Sequence, residues 1–442
     1  MEKHPIIFHI DVNSAFLSWE ARYRMEVLGE DLDIRTIPAV IGGSEADRHG
    51  IVLAKSTPAK RFNIQTGEPL AHARRKCPNL TIVPPSYSVY VESSKRFVEF
   101  LKQYTPDVES YSIDEVFCDF TGTEHLYGPP AVFARKLADR IRDELGFTVN
   151  IGISSNRLLS KMASDFEKPD KVHTLFPEEI PAKMWPLDIR DLFFVGKASE
   201  QKLRTLGIHT IGDLAHTDRS FIQHHLKKHG ETIWDFSHGI DHDSITKDTV
   251  PQNKGFGNSI TLSQDVTDPE TAHTILLSLC ETVGTRIRAE HSYVSTVGVH
   301  ITDCDFHHTS HQKALLSRTD VTYQIFETAC ELFDELWKGA PIRLLGVFTS
   351  KATEEQSFQY SLFETGKYDR LAKLDKAIDT IRGKYGEDSV QRACFIKNKQ
   401  THMSGGINKA KREQKKSDFT MPGESLFSSN YLLLKETNKT TD

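Results

Sequence analysis

Hydrophobic residues recur along the chain at two spacings, one typical of strands and one typical of amphipathic helices. Short apolar runs predict strands at 5–10, 38–43, 50–54, 111–120, 147–153, 257–262, 295–301 and 342–348. Apolar positions at helical spacing predict helices at 15–28, 89–101, 131–145, 157–166, 272–288, 322–337 and 371–385. The order of these elements predicts an α+β fold of several domains, with a ferredoxin-like unit first and a β-α-β-β-α-β unit later.

Two adjacent acidic residues, Asp114 and Glu115, interrupt the strand-forming run from Tyr111 to Phe120. In a regular strand their side chains would point to opposite faces, and one of them would enter the core. An unpaired buried carboxylate is costly. We therefore expect a hairpin bend at the end of a strand, with both side chains reaching one polyvalent partner. A solvated acidic turn beside a strand is the alternative.

A third carboxylate, Asp11, lies at the carboxyl end of the first predicted strand, where α/β folds place site residues. Three carboxylates on two strand ends can hold two metal ions ~3.5–4 Å apart, with the Val12 backbone carbonyl as a further ligand. Mg²⁺ is the natural candidate, because it prefers oxygen ligands and is usually bound by a few carboxylates plus substrate phosphates. Such a pair of ions suits phosphoryl transfer.

Composition changes this picture little. The 442 residues allow two to four domains, and 38% hydrophobic with 26% charged residues describe an ordinary globular chain. The chain has neither a membrane-length apolar run nor a signal pattern, so we expect a cytoplasmic protein without a membrane partner. Its six cysteines lack metal or disulfide spacing. A net charge of −6 is unusual for a nucleic-acid binder, but phosphate contact needs only a local basic stripe.

Three further patterns have a functional and a plain reading. Ser56, a following proline, and then Lys60 and Arg61 predict either a phosphate-binding helix start or a capped surface helix. Residues 189–214 predict a helix–hairpin–helix, where Gly196 would let backbone N–H groups approach a DNA phosphate, or a small helical connector. Two histidine groups lack the supporting spacing of metal sites and are expected on a solvated helix face and in a polar loop: His224, His225 and His229, and His307, His308 and His311.

Several motifs in co-linear order resemble the Y-family translesion DNA polymerases, with bacterial members similar to DNA polymerase IV as the nearest match. They are Ile10-Asp11-Val12 followed by Phe16, Ser112-Ile113-Asp114-Glu115, and Gly152–Arg157 with Lys161. The resemblance covers roughly residues 5 to 395 and implies a right-hand polymerase. Its implied parts are a palm (1–14 and 84–175), fingers (15–83), a helix–hairpin–helix thumb (176–243), a linker (244–253), a little finger (254–352), a clamp-binding peptide with a helix (353–395) and a disordered basic tail (396–442).

The resemblance also implies the chemistry of the site, which is template-directed DNA synthesis of low processivity past damaged bases. Asp11, Asp114 and Glu115 would bind two Mg²⁺ ions, one activating the primer 3′-hydroxyl and the other neutralising the triphosphate. Phe16 would be a steric gate against ribonucleotides, or a plain core aromatic. Thr57 and Lys60 stand where the family has a Tyr and an Arg at the triphosphate, and Lys161 would also reach it.

Binding of primer-template DNA would involve both distal parts of the chain. The resemblance implies contacts at Gly196 and Lys197 in the hairpin, and phosphate contacts at Lys254, Ser259, Arg286 and Arg288 in the little finger. Ile301-Thr302 stands where the family often ends this strand in Arg. Gln359, Leu362 and Phe363 resemble a peptide that binds the sliding clamp, and Ser425-Leu426-Phe427 repeats part of it. Leu371, Leu374, Ile378, Ile381 and Tyr385 line one helix face, expected to pack on the body.

Two other function classes remain open. A nucleotide cyclase also pairs strand-end carboxylates around two metals, but it would not depend on a primer, and the hairpin and little-finger units would have no purpose there. A non-catalytic DNA-repair scaffold would bind duplex DNA and clamp without incorporating nucleotides, and an intact acidic trio speaks against it. We expect a monomer that uses deoxynucleoside triphosphates.

Overall fold

The computed structural model describes residues 5–43, 50–243, 253–354, 366–396 and 401–404. Within these ranges the strands are β1 (Ile7–Val12), β2 (Ala39–Gly42), β3 (Val52–Lys55), β4 (Thr81–Val83), β5 (Val108–Ser110), β6 (Glu115–Asp119), β7 (Val149–Ser154), β8 (Val172–Thr174), β9 (Gly257–Val266), β10 (Val294–Asp303), β11 (His308–Thr319) and β12 (Ile342–Ser350). The helices are α1 (Ala15–Glu26), α2 (Thr57–Lys60), α3 (Leu70–Lys76), α4 (Tyr87–Lys102), α5 (Glu124–Tyr127), α6 (Pro130–Leu145), α7 (Arg157–Ser164), α8 (Ile180–Lys183), α9 (Lys197–Thr205), α10 (Ile211–His216), α11 (Arg219–Ser237), α12 (Pro269–Ala289), α13 (Thr322–Leu336), α14 (Lys367–Tyr385) and α15 (Ala393–Ile396). None of the helices in these ranges has the length and apolarity that a membrane crossing requires.

The chain forms two compact units, and the first draws on residues 1–41, 52–67 and 73–249. Its central sheet has the strand order β5-β6-β1-β7-β8. Strand β1 is antiparallel to both neighbours and buried along its whole length. Helix α7 packs so closely on β7 that a Cβ at Gly152 would collide with the Ser160 carbonyl oxygen. This close approach fixes the position of α7 beside the strand that carries Asp11.

A smaller sheet of order β3-β2-β4 follows the first helix, and β2 runs parallel to β4. The buried Ser56 connects this sheet to α2. Its hydroxyl donates to the Ile37 carbonyl (2.7 Å) and accepts from the Ala59 backbone N–H (3.1 Å), which makes it the N-cap of α2. The predicted helix start at Ser56 is confirmed.

Residues 177–243 are mostly helical, and they share one hydrophobic core with α7 and Leu175. Helix α10 follows α9 after a short turn and is capped by Thr210, which accepts from the Asp213 N–H at 3.0 Å while Asp213 accepts from the Thr210 N–H at 2.9 Å. His224 and His225 are exposed on α11, as predicted for a solvated helix face.

The second unit consists mainly of residues from 250 onward. Its strands pair antiparallel in the order β11-β10-β12-β9, and α12 and α13 cover one face, so the predicted β-α-β-β-α-β order is confirmed. The expected polar loop at His308 and His311 is wrong, because both residues lie in β11. That strand is exposed along most of its length, so its sequence lacks the apolar alternation of a half-buried strand. His307 lies in the preceding turn, where Asp303 accepts from its backbone N–H (2.9 Å).

Helix α14 docks on the second unit through charged side chains. Arg288 of α12 pairs with Asp379 (2.5 Å) and Asp375 (3.3 Å), and Asp375 also accepts from the Thr322 N–H (2.8 Å). About two turns earlier on α12, the buried Glu281 pairs with Arg382 at 2.8 Å. These ion pairs are largely shielded from water, so the charged face of α14 is its packed face.

The apolar face of α14 points outward instead. Leu374 is 48% exposed, Ile381 39% and Tyr385 60%. The expectation that this face packs on the body is therefore wrong for these three residues, whereas Leu371 and Ile378 are half-buried. Its hydrophobic spacing predicted the helix correctly, but the orientation is decided by the arginine–carboxylate pairs.

A short segment at 401–404 also packs on this unit. Ser278 and Thr282 of α12 donate to the Ser404 hydroxyl (2.7 Å) and carbonyl (2.9 Å), and Asn258 of β9 donates to the same carbonyl (3.0 Å). His402, Met403 and Ser404 are buried. The prediction of a disordered tail from residue 396 is therefore wrong for these residues.

Candidate active site

Three carboxylates meet at one end of the central sheet. Asp11 on β1 stands directly opposite Glu115 on β6 in the antiparallel register. Asp114 precedes β6 in the β5–β6 hairpin, and its carbonyl accepts from the Val12 N–H at 3.0 Å. The predicted hairpin bend is confirmed, and adjacent strands bring together residues that are about a hundred positions apart in sequence.

The hairpin is held by its own hydrogen bonds. The backbone N–H groups of Tyr111 and Ser112 donate to the Glu115 carbonyl at 3.0 and 3.1 Å. The Ser112 hydroxyl donates to Asp114 Oδ1 at 2.7 Å. Asp114 is therefore held in place by a local turn contact.

Two lysines compensate the other two acids. Lys161 Nζ lies 2.6 Å from Glu115 Oε1, and Lys168 forms an ion pair with Asp11. Asn156 caps the helix that carries Lys161 by accepting from the Leu159 N–H (2.8 Å). Lys161 was predicted at the site, whereas Lys168 was missed. A lysine beyond a helix end has no periodic signal, so only the tertiary fold shows its partner.

Burial and charge act against each other at Asp11. Desolvation raises the pKa of Asp11 to about 6, and the nearby Glu115 and Asp114 add to this effect, although Lys168 opposes it. Burial alone would lower the pKa of Lys168, but Asp11 and Asp165 raise it above its usual value. The acidic cluster therefore favours a bound cation.

A cavity of about 320 Å³ opens beside the acids. Its lining joins Asp11, Asp114 and Val12 with Phe16 and Lys60. Thr57, predicted beside the nucleotide, does not line this cavity. Other lining residues that the sequence did not single out are Lys55, Thr66 and Lys168.

Phe16 presents a rigidly held ring to this cavity. It stacks on Tyr90 with a centroid separation of 4.6 Å and an interplanar angle of 13°. The Tyr90 hydroxyl donates to the buried Glu20 at 2.7 Å. Just before Phe16, Ser14 has a left-handed backbone (φ 49°), where the chain turns from β1 into α1. The ring is thus both packed and at the cavity wall.

Comparisons with known proteins agree with this geometry. The impB/mucB/samB family profile matches residues 10–165, its C-terminal domain matches 253–362, and the IMS family HHH motif matches 177–208. A DNA polymerase IV from Clostridium acetobutylicum is 46% identical over 89% of this chain and 99% of its own length. The chain belongs to the Y-family of DNA polymerases. A DNA polymerase IV from Alkaliphilus oremlandii is 36% identical over the same shares of the two chains.

The fold is similar to that of a solved Y-family DNA polymerase. A solved chimeric Y-family DNA polymerase matches with a TM-score of 0.66 at 19% identity, covering 78% of this chain and 98% of that one. The predicted fold class, an α+β polymerase with a ferredoxin-like sheet and a helix–hairpin–helix motif, is confirmed. Family membership also implies dependence on a divalent metal and on DNA and nucleotides as substrates.

The helix–hairpin–helix region of this Y-family chain contains a glycine with open space around it, Gly196, and a phenylalanine with a left-handed backbone, Phe194. Gly196 is the N-cap of α9 with an ordinary φ of −84°, and among the described residues a Cβ there would meet no atom within 4 Å apart from its neighbours in the chain. Lys197 is exposed beside it. Phe194 has a left-handed backbone (φ 75°) and is 57% exposed. A non-glycine residue in this conformation is strained.

The predicted DNA contacts of the second unit divide into two groups. Lys254 and Ser259 are exposed, and Arg286 is half-buried, with its guanidinium donating to the Gly257 carbonyl at 3.0 Å. Arg288 is wrong as a phosphate contact, because its side chain is only 8% exposed and is committed to Asp375 and Asp379. The predicted clamp-binding residues Gln359, Leu362 and Phe363, and Ser425–Phe427, lie outside the described residues.

Proposed function

We propose that this Y-family protein is a template-directed DNA polymerase that copies past damaged bases with low processivity. One observation supports the reaction above all: Asp11 and Glu115 lie directly opposite each other on two adjacent strands, and Asp114 lies in the adjoining turn. Relatives named DNA polymerase IV support the substrate class. The proposed polymerase adds a deoxynucleotide to the 3′-hydroxyl of a primer.

The donor set fits Mg²⁺. We assign Asp11, Asp114, Glu115 and the Val12 carbonyl as the ligands of two Mg²⁺ ions, because all four groups offer hard oxygen atoms. Asp11 is buried beside two like charges, which raises its pKa and makes a divalent cation a favourable partner. When bound, such ions activate a hydroxyl and neutralise phosphate charge.

The lysines of the site would bind the nucleotide. Lys60 and Lys168 line the cavity beside the acids, and Lys161 lies against Glu115. We propose that these ammonium groups attract the triphosphate and orient it toward the primer. Catalysis is then positioning and charge stabilisation, without a covalent intermediate. Thr57 has the weaker support, because it lies outside the cavity lining.

Phe16 would exclude ribonucleotides. Its ring is fixed by Tyr90 and stands at the wall of the same cavity as Asp11. A ring held there by stacking would crowd a 2′-hydroxyl on a bound sugar. We therefore propose Phe16 as the steric gate.

The protein would hold duplex DNA through contacts to the phosphates of the DNA backbone. We propose Gly196 and Lys197 in the first unit, and Lys254, Ser259 and Arg286 in the second, as contacts to phosphates. The open space at the Cβ position of Gly196 supports close approach by an outside group. We further propose a monomer that acts in the bacterial cytoplasm and binds a sliding clamp through Gln359, Leu362 and Phe363.

Primer extension tests the proposed reaction directly. With Mg²⁺ and one deoxynucleotide at a time, the wild type should add only the nucleotide that the template dictates. Asp114→Ala should abolish addition, because it removes a proposed metal ligand, whereas Asp143→Ala, on the exposed face of α6, should not. Addition that survives Asp114→Ala would place the metals elsewhere. A folded wild type that binds duplex DNA but adds nothing would favour a repair scaffold.

A further inference from the structure

Lys161 is held on three sides. Its Nζ lies 2.6 Å from Glu115 Oε1, 4.9 Å from the centroid of the Tyr111 ring and 5.6 Å from that of Phe193. The lysine side chain is only 11% exposed. Aromatic faces attract cations, and more strongly where water is excluded. The two rings therefore enclose the ammonium group as it meets the carboxylate.

Tyr111 is fixed to the same hairpin as Glu115. Its backbone N–H donates to the Glu115 carbonyl at 3.0 Å. Its ring meets Phe117 of β6 edge-on, with centroids 5.5 Å apart at 78°. The separation between this ring and the carboxylate is therefore set by one short stretch of backbone.

Phe193 comes from the helical region that the HHH motif profile matches. Its backbone N–H points to the sulfur of Met162, the residue after Lys161, at 3.3 Å. Its ring stacks on Phe236 of α11 at 6.2 Å and 21°. Helix α9 begins at Lys197, four residues after Phe193. Phe193 therefore belongs to the segment that leads into the proposed DNA-binding hairpin, and it also contacts Lys161, the lysine that pairs with Glu115.

We propose that Tyr111 and Phe193 are positioning residues that act through Lys161, and that Phe193 thereby connects the helix–hairpin–helix to the acidic site. The proposal rests on the polymerase function proposed above. A lysine ammonium is strongly hydrated and sits on a flexible chain. Without the rings it would turn toward water, and a misplaced cation at a reacting site lowers the rate steeply.

Ring removal and ring conservation are compared in the full-length protein. Phe193→Leu and Tyr111→Leu remove a ring, and each should lower kcat/KM for nucleotide addition about 10-fold through kcat. Phe193→Tyr and Tyr111→Phe keep the ring and should retain most of the activity. The dissociation constant for primer-template DNA should be unchanged in all four variants, because no proposed phosphate contact is altered.

A double-mutant cycle identifies Lys161 as the mediator. In a Lys161→Ala background, Phe193→Leu should have no further effect on kcat. A second cycle on the unfolding free energy of the metal-free protein should be non-additive for the same pair. The proposal is overturned if Phe193→Leu keeps its full effect without Lys161, if DNA affinity falls in proportion to activity, or if the unfolding effects are additive. Should the wild type add no nucleotide, the proposed function fails, and the unfolding cycle alone decides whether the rings hold Lys161.

Discussion

At the scale of single residues, the acidic site combines burial with partial charge compensation. Lys161 and Lys168 each pair with one carboxylate, while Asp114 has the Ser112 hydroxyl. Burial dominates at Asp11, whose pKa is raised to about 6. Desolvation therefore brings the titration of the Asp11 carboxyl to about pH 6, and its protonation should affect metal binding.

Mg²⁺ affinity should depend on the protonation of Asp11. Above about pH 6 the carboxylate is ionised, and below it a proton competes with the metal, so affinity should fall up to tenfold per pH unit on acidification. Lys168→Met removes a charge that lowers this pKa, so the midpoint should move to higher pH. Calorimetric titration with Mg²⁺ between pH 5 and 8, a range set about the Asp11 midpoint, measures both. A flat profile across this range would contradict the prediction.

The gate at Phe16 makes a selectivity prediction. Phe16→Ala should reduce discrimination against ribonucleotides by about 10-fold to 100-fold, because space opens beside the bound sugar. Single-nucleotide extension with matched deoxy- and ribonucleotides measures the ratio. Phe221→Ala removes an exposed aromatic of α11 and serves as the control. Unchanged selectivity in a folded Phe16→Ala protein would make Phe16 a packing residue only.

Phe194 allows a measurement of backbone strain. Both Phe194→Ala and Phe194→Gly lose the ring, but only glycine adopts φ 75° without steric cost. The glycine variant should be more stable than the alanine variant by about 1 kcal/mol. At Ala198, in the first turn of α9, the order should be reversed, with Ala198→Gly less stable than the wild type. Chemical denaturation of the four proteins, including wild type, decides this comparison.

At the scale of elements, α14 shows that hydrophobic spacing identifies a helix but does not always decide which face packs. Leu374, Ile381 and Tyr385 are exposed, whereas Asp379 and Arg382 lie against α12. Arginine is suited to this role because its planar guanidinium can satisfy several acceptors at once. The buried ion pairs are therefore the main determinants of where α14 lies.

Breaking one of these pairs should be costly. Glu281→Ala leaves Arg382 buried without its charge partner and should destabilise the protein by about 3–5 kcal/mol. Glu331→Ala breaks an exposed pair with Lys313 and should cost less than about 1 kcal/mol. Burial alone would raise the pKa of Glu281, but Arg392 and Arg382 outweigh it and lower the pKa. Its contribution is thus complete above the ordinary pKa of glutamate and lost as the pH falls through the lowered value. Equal destabilisation by both variants in urea would contradict the prediction.

At the scale of the whole molecule, the parts that sequence predicts well are those with local signals. The strand ends at Asp11 and Glu115, the cap at Ser56 and the β-α-β-β-α-β order all follow from spacing and local propensity. Spacing and local propensity could not predict the partners of Lys168 and Arg288, and they did not predict strand β11. A lysine or arginine has the same sequence signature whether it faces water, a carboxylate or DNA, and an exposed strand lacks alternation.

Residues 366–396 and 401–404 pack on the second unit, which bears on where this unit ends. The family profile for this region stops at residue 362. A chain cut there would keep every residue of that match, yet Glu281 and Arg288 would lose their charged partners on α14, and Ser278 would lose Ser404. We therefore expect the second unit to be less stable when it is cut at residue 362 than when it extends past residue 404.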